Sequence, residues 1–280
     1  MKTYLDCIPC FMEQALRASR ISLDYDAEIK HVLDKVGELI KDIPMDSPPP
    51  EIAMQVYSLI YEKTGDRDPY SQQKQDHMEK ALKLYPHMEE VLEESNDRIL
   101  SAIKLAIAGN VIDLGVNKTF NIEEDILQSL HEDLTINDYP QFQKQVANSD
   151  SILYLGDNTG EAVFDKLLIE QFDIPVTFVV REEPILNDIT KKEARQIGIN
   201  EVAEIVSSGT TAPGNVLSTC TPEFLETLNK ADMIISKGQG NYESLSNFDG
   251  PIYFLLKAKC PVIAQDIGIP EGGSVLMKGA

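Results

Sequence analysis

Beyond about residue 145, short apolar segments rich in β-forming residues alternate with helical stretches. This alternation is typical of βαβ units, in which a helix crosses from one strand to a parallel neighbour and helices cover both faces of the sheet. The predicted strands are 152–155, 176–180, 202–206, 233–235 and 252–256, and the predicted helices between them are 161–171, 189–197 and 222–230. The pattern predicts an α/β fold with a Rossmann-like parallel sheet flanked by helices.

The first hundred residues carry a helical pattern instead. Apolar residues recur at helical spacing over 33–40 and 52–60, and the three prolines at 48–50 separate these two helices. Pro50 is placed to begin the second of them. A third helical stretch covers about 79–107, and we expect Pro86 to interrupt it. The chain therefore divides into an all-helical N-terminal region, 1–108, and a Rossmann-like α/β domain, 109–280.

The charge balance restricts the partners. Lys and Arg number 25 against 46 Asp and Glu, a net charge of −21, and no segment concentrates basic residues. We therefore expect no nucleic acid and no membrane among the partners. With no signal-peptide pattern, no apolar run long enough to span a bilayer and only four cysteines, the chain is predicted to be cytoplasmic. So acidic a chain needs a metal ion or directed backbone N–H groups to hold an anion.

Polar loops follow four of the predicted strands. Ligands of open parallel sheets bind beyond the carboxyl ends of the strands, so these loops are the place to expect a site. Each loop carries acids, amides, hydroxyls or a lysine among glycines and prolines; the four are 156–161, 181–188, 207–215 and 236–241.

Two of these loops together contain a set of hard oxygen ligands. Asp157 and Asn158 follow the first strand, and Asp188 ends the second loop just before a predicted helix. Taken singly, Asp157 is typical of a turn and Asp188 of a helix N-cap. Taken together, two carboxylates and one amide oxygen suit Mg²⁺ or Mn²⁺. The spacing leaves both interpretations open.

The other two loops are typical of anion-binding sites. Gly209–Thr211 offers backbone N–H groups and hydroxyls, and Gly238–Gly240 offers flexible backbone beside Lys237. Lys237 is equally compatible with a solvated lysine. The chain has no Walker pattern, and no Gly-x-Gly-x-x-Gly follows the first strand, which argues against a dinucleotide site.

Cys7 and Cys10 form a single Cys-x-x-Cys motif near the N-terminus. One such motif supplies only half of a tetrahedral zinc site, and a thioredoxin-like role needs a preceding strand for which the first six residues are too short. We expect a structural or redox-sensitive pair rather than a catalytic one.

The motifs taken in order resemble a known family. They are the cysteine pair, Gly109–Asp113, Gly156–Glu161, Pro184–Asp188, Ser207–Gly209 and Lys237–Asn241. This order is similar to that of the damage-control phosphatases, long known as domain of unknown function 89. The chain most resembles the stand-alone, largely archaeal branch that carries the cysteine pair. The resemblance spans nearly the whole chain.

The resemblance implies a metal-dependent phosphatase, a hydrolase of metabolite repair acting on small phosphorylated metabolites such as sugar phosphates or damaged cofactor intermediates. It assigns the metal, which is Mg²⁺, Mn²⁺, Co²⁺ or Ni²⁺ in the family, to Asp157, Asn158 and Asp188. It assigns phosphate binding to Lys237. The residues that it places near the substrate are Asn110, Asp113, Glu161, Asn187, Ser208 and Asn241.

Two features of the function stay open at this stage. An oriented water or Asp157 itself is expected to attack phosphorus while the metal and Lys237 neutralise the phosphoryl oxygens. The alternatives to a phosphatase are an S-adenosylmethionine-dependent carboxyl methyltransferase, since a eukaryotic relative has been described as one, and a non-catalytic metal-binding protein.

Overall fold

The N-terminal part of the chain is helical, as predicted. The structure, a computed structural model, describes residues 1–110 and 122–279. Its first five helices are α1 (Cys7–Ser22), α2 (Asp26–Ile40), α3 (Pro49–Thr64), α4 (Ser71–Glu93) and α5 (Arg98–Ala108). The prolines at 48–50 separate α2 from α3, and two of them occupy the first turn of α3, where a missing backbone N–H costs nothing.

The prediction that Pro86 interrupts a helix is wrong. Helix α4 continues through Pro86, although proline removes one backbone hydrogen bond. The buried face of α4, which includes Met78, Ala81, Met88 and Leu92, packs into the core that covers the sheet, and this packing outweighs the local loss. The break in the helical stretch comes after Glu93 instead.

A seven-stranded sheet forms the centre of the described chain. Its strands are β1 (Ile136–Asn137), β2 (Ile152–Leu155), β3 (Val176–Val180), β4 (Glu204–Ser207), β5 (Ile234–Lys237), β6 (Ile252–Lys257) and β7 (Ser274–Lys278). They lie in the order β1-β7-β6-β5-β2-β3-β4, and only the β6–β7 pair is antiparallel. The predicted parallel α/β fold is confirmed. β1 and β7 were not predicted, and β4 and β5 begin one or two residues later than predicted.

Helices cover both faces of this sheet. They are α6 (Ile122–His131), α7 (Tyr139–Ala147), α8 (Ala162–Ile169), α9 (Lys191–Ile197), α10 (Pro222–Lys230), α11 (Gly238–Leu245) and α12 (Pro261–Ile267). On β2, Ile152 and Tyr154 face one hydrophobic cluster while Leu153 and Leu155 face another. Alternate side chains are thus buried on opposite faces, which explains the continuously apolar character of the strand.

The first three helices are attached to the sheet through the loop that follows β3. They form a hydrophobic cluster of their own, which includes Phe11, Val56, Tyr57 and, from that loop, Ile185. Helices α4 and α5 instead share the core of the sheet, so the division of the chain at residue 108 stays a prediction.

A buried ion pair attaches α4 to α9. Lys74 of α4 donates to Glu193 Oε1 on α9 at 3.3 Å and lies 2.9 Å from Asp68 Oδ2. Glu193 in turn forms a capping box with Thr190.

Within residues 1–110 and 122–279, we find no helix with the length and apolar character needed to cross a membrane.

Candidate active site

The four polar segments meet at one edge of the sheet. Strands β5, β2, β3 and β4 are adjacent and parallel, so their carboxyl ends lie side by side. Three of the predicted loops follow β2, β3 and β4. The fourth segment, 236–241, is not a loop, because β5 continues to Lys237 and α11 begins at Gly238. This edge is therefore where the predicted site residues must be located.

Backbone pairing joins the loop after β2 to the loop after β3. Asn158 and Asp188 form an isolated antiparallel bridge. On either side of it, Ile189 N donates to Asp157 O at 2.8 Å and Thr159 N donates to Asn187 O at 2.9 Å. Asp157, Asn158 and Asp188 are all buried. The structure thus brings together the three residues predicted as metal ligands, and Asp157, Asn158 and Asp188 form what we call the metal-ligand set.

The position of Asp188 settles one alternative. The helix after it, α9, begins at Lys191, and its N-cap is Thr190, whose side chain accepts from Lys192 N. The interpretation of Asp188 as an N-cap is therefore wrong. Its carboxylate is directed to other groups, among them Arg181.

The electrostatics of Asp157 indicate a cluster of like charges. Burial raises the pKa of Asp157 well above its usual range, and the negative charges of Asp188 and Glu161 raise it further. The positive charges of Arg181 and Lys259 offset only part of this rise. Buried carboxylates that repel each other in this way are stabilised by a cation between them.

The donor set fits a hard divalent cation. Asn158 Nδ2 donates to three side-chain oxygens, Asp157 Oδ2 at 3.0 Å, Asn110 Oδ1 at 3.2 Å and Glu161 Oε2 at 3.3 Å. A cation would therefore bind Asn158 through its Oδ1. In the part of the chain that the structure describes, no three His, Cys, Asp or Glu side chains are grouped as metal ligands. The set here has two carboxylates and an amide, which suits an ion that keeps several water ligands, such as Mg²⁺.

Lys237 lies behind the site rather than in solvent. It is fully buried, and its Nζ donates to Glu161 Oε1 at 2.5 Å, Asp165 Oδ1 at 2.6 Å and Ala106 O at 2.9 Å. Burial lowers the pKa of Lys237, but the carboxylates of Asp165 and Glu161 outweigh burial and raise it, so the amine stays protonated. The solvated alternative for Lys237 is wrong. Its predicted contact with phosphate stays a prediction.

Arg181 is a site residue that the sequence analysis missed. It is buried, and its Nε donates to Asp188 Oδ2 at 2.8 Å while its Nη2 donates to Asn241 Oδ1 at 3.1 Å. Asn241 Nδ2 donates onward to Gly156 O and Lys237 O. Arg181 and Asn241 therefore connect the loops after β2 and β3 to the junction of β5 and α11. The sequence did contain a signal for Arg181: a charged residue at the end of a buried apolar segment, as at Lys237.

Three further predicted residues are Asn110, Ser208 and Asp113, and they differ in where they lie. Asn110 approaches the metal-ligand set, because its Oδ1 accepts from Asn158 Nδ2 and from Lys259 Nζ. Ser208, directly after β4, is buried, and its Oγ donates to Val180 O of the neighbouring strand β3 at 3.4 Å. Asp113 lies outside the described residues.

A cavity of about 280 Å³ opens beside the metal-ligand set. One wall carries polar groups from the sheet edge, namely Asp157, Asn158, Asn187, Asp188 and Lys259. Another part of the lining comes from α1 and α3 and includes Cys7, Cys10, Phe11, Pro49, Pro50 and Ala53. Lys259, which follows β6, is a second residue that the sequence analysis missed. Another cavity, of about 250 Å³ near α5 and α6, contains none of the predicted site residues among its described lining.

Comparison with known proteins defines the class. Residues 3–275 match the model of the damage-control phosphatase ARMT1-like domain. A damage-control phosphatase from Pyrococcus horikoshii is 33% identical over 285 residues, which cover 99% of this chain and 98% of that protein. A damage-control phosphatase from Archaeoglobus fulgidus is 32% identical, with 96% of each chain covered. An uncharacterised protein from Methanocaldococcus jannaschii is 35% identical, covering 98% of this chain and 94% of the relative.

A solved structure supports the same assignment. The crystal structure of a domain of unknown function 89 family protein from Pyrococcus horikoshii superposes with a TM-score of 0.93 at 32% identity, and both chains are covered completely. The chain therefore belongs to the damage-control phosphatase ARMT1-like family, and the resemblance seen in the motifs is confirmed.

Gly238 provides a test of how tightly Asp157 is held. Gly238 has a φ of +77°, and a Cβ there would lie 1.9 Å from Asp157 Oδ2. Gly268 has a similar φ of +81°, but a Cβ there meets no described atom within 4 Å. We expect Gly238→Ala to lower the free energy of unfolding by roughly 1–3 kcal/mol more than Gly268→Ala. Urea denaturation measures both, and equal losses would mean that Asp157 moves aside freely.

Glu243 on the cavity wall predicts a pH dependence of stability. Burial raises the pKa of Glu243 from its usual 4.5 to about 7. Between these values the folded chain binds more protons than the unfolded chain, so this group costs stability as the pH rises from 4.5 through 7. We expect Glu243→Gln to be more stable than the wild type by roughly 1–3 kcal/mol at pH 8.5 and nearly equal at pH 4.5.

Comparing the two proteins by denaturation at each pH cancels the contributions of groups that they share. The glutamine can still accept the hydrogen bond that Gln239 Nε2 donates to Glu243 Oε1 at 2.9 Å. A difference in stability that does not change with pH would contradict the assignment.

Proposed function

We propose that this chain is a metal-dependent phosphatase that hydrolyses small phosphate monoesters. The observation that carries the proposal is the backbone pairing of the loops after β2 and β3, which brings Asp157, Asn158 and Asp188 together beside a cavity. The names of the relatives from Pyrococcus horikoshii and Archaeoglobus fulgidus support the phosphatase class. The cavity volume of about 280 Å³ suits a small substrate.

Asp157, Asn158 and Asp188 would hold the divalent cation through oxygen atoms. When bound, the cation would neutralise phosphoryl oxygens, which is the largest requirement of phosphoryl transfer. Arg181 keeps Asp188 in position by donating to its Oδ2. Lys237 supports Asn158 indirectly. Its Nζ donates to Glu161 Oε1, and Glu161 Oε2 accepts from Asn158 Nδ2.

Lys259 is the cation placed to meet the phosphate directly. It lines the cavity, and its Nζ donates to Asn110 Oδ1 beside the metal-ligand set. Lys237, in contrast, is enclosed by two carboxylates and a carbonyl oxygen. We therefore assign the first contact with the substrate phosphate to Lys259, with Lys237 as a support of the ligand set.

The first test of the proposal is metal dependence. We expect the EDTA-treated chain to release no phosphate from a panel of sugar phosphates and other small monoesters, and Mg²⁺, Mn²⁺, Co²⁺ or Ni²⁺ to restore release. Asp188→Asn should lower kcat/KM by about 100-fold and weaken metal binding measured by calorimetry. Glu223→Gln, an exposed acid on α10, is the matched control and should behave as wild type.

Two results would reject the proposal. One is phosphate release that is indifferent to chelation and to Asp188→Asn. The other is metal binding without hydrolysis of any monoester, which would leave a metal-binding protein.

The second test concerns Lys259. Removing a charge-assisted contact to the phosphate should raise KM by roughly 10–100-fold in Lys259→Met with a smaller change in kcat. Lys230→Met is the control, because the Lys230 side chain is exposed on α10 and pairs with Glu226. Steady-state kinetics on the best substrate of the panel measure both variants. An unchanged KM in Lys259→Met would assign phosphate binding elsewhere.

A further inference from the structure

The Cys-x-x-Cys motif has a defined place in the structure that the proposed reaction does not use. Cys7 is the first residue of α1, and Cys10 follows one turn later. Residues three apart on a helix lie on the same face, with Cβ atoms about 5–6 Å apart. Disulfides bring the two Cβ atoms to about 3.5–4.5 Å, so the first turn of α1 has to tighten by roughly 1–2 Å when the pair is joined. Both thiols are free in the structure.

Both thiols border the cavity that holds the metal-ligand set. Cys10 is exposed and Cys7 is partly buried, so a small oxidant can reach the pair. A third thiol, Cys260, reaches the same cavity from the loop before α12, whereas Cys220 is not among its described lining residues. The chain therefore contains its own control thiol.

The surroundings of the pair disfavour its thiolate form, because burial raises the pKa of both Cys7 and Cys10. The thiolate is the form of a thiol that attacks a disulfide. We therefore expect the pair to form its own disulfide slowly.

We propose that Cys7 and Cys10 are a site of reversible oxidation, at which a small organic disulfide converts the two thiols into an intramolecular disulfide in the wall of the substrate cavity. With glutathione disulfide as the oxidant, the exposed Cys10 attacks one sulfur as its thiolate and displaces one glutathione thiol. Cys7, on losing its proton, then attacks Cys10 Sγ and displaces the second. The two cysteines lose two electrons and two protons, and one glutathione disulfide becomes two glutathione thiols.

The consequence for substrate binding follows from where the pair lies and rests on the proposed phosphatase function. Cys7 and Cys10 line the same cavity as Asp157 and Asp188. A bond between the two sulfur atoms fixes both side chains and changes the shape of that part of the lining. We expect a change in KM rather than in metal affinity, because neither cysteine belongs to the predicted metal-ligand set.

The test for the bond needs no enzyme activity. The full chain is incubated with excess glutathione disulfide, digested and analysed by mass spectrometry before and after dithiothreitol. We expect the peptide that contains both Cys7 and Cys10 to lose two hydrogen atoms and to regain them on reduction. Cys7→Ser and Cys10→Ser should each abolish this loss, while Cys220→Ser and Cys260→Ser should retain it. A glutathione adduct alone, or a peptide cross-linked through Cys260, would overturn the proposal.

Kinetics then test the consequence. Oxidised wild type should show a KM raised by roughly threefold or more, reversed by dithiothreitol, while the Cys7→Ser, Cys10→Ser double variant should not respond to the oxidant. A confirmed disulfide with unchanged KM would overturn the effect on the cavity. A disulfide in a chain that hydrolyses no monoester would instead overturn the proposed function and leave the oxidation site in place.

Discussion

The central constraint at the carboxyl edge of the sheet is that two acidic side chains, Asp157 and Asp188, are buried close together. Asp157 and Asp188 are buried side by side because the backbone on either side of them is paired, and their charges repel. Burying two negative charges in this way lowers the stability of the folded chain unless positive charge lies nearby. The positive charges of Arg181 and Lys259 offset only part of the rise in the pKa of Asp157, and the proposed divalent cation would supply the remaining positive charge.

The positively charged side chains around this edge lie in two different environments. Arg181 and Lys237 are buried and engaged with carboxylates, so they hold Asp188 and Glu161 in place. Lys259 lines the cavity instead. The helical N-terminal part completes the cavity, because α1 and α3 supply part of its lining and Ile185, in the loop after β3, packs against these helices.

Much of the fold could be predicted because its determinants are local. The strands β2, β3 and β6 are continuous apolar segments, and their bounds match the prediction to within a residue. Strand β7 was not predicted because it departs from the parallel βαβ pattern: it pairs antiparallel with β6 and parallel with the distant strand β1. Pro86 was misjudged for a related reason: the local cost of a proline in α4 is real, but burial of the same helix against the sheet decides the outcome.

The candidate site shows the same division. The sequence by itself determined that acids and amides follow consecutive parallel strands, and parallel strands place their ends at one edge, so the grouping of Asp157, Asn158 and Asp188 could be anticipated. Only the tertiary structure decided which lysine faces the cavity and which is enclosed, and that Arg181 lies among the ligands. It also decided that the cysteine pair borders the same cavity. Burial and side-chain partners depend on how distant segments pack, and spacing along a chain carries no information about that packing.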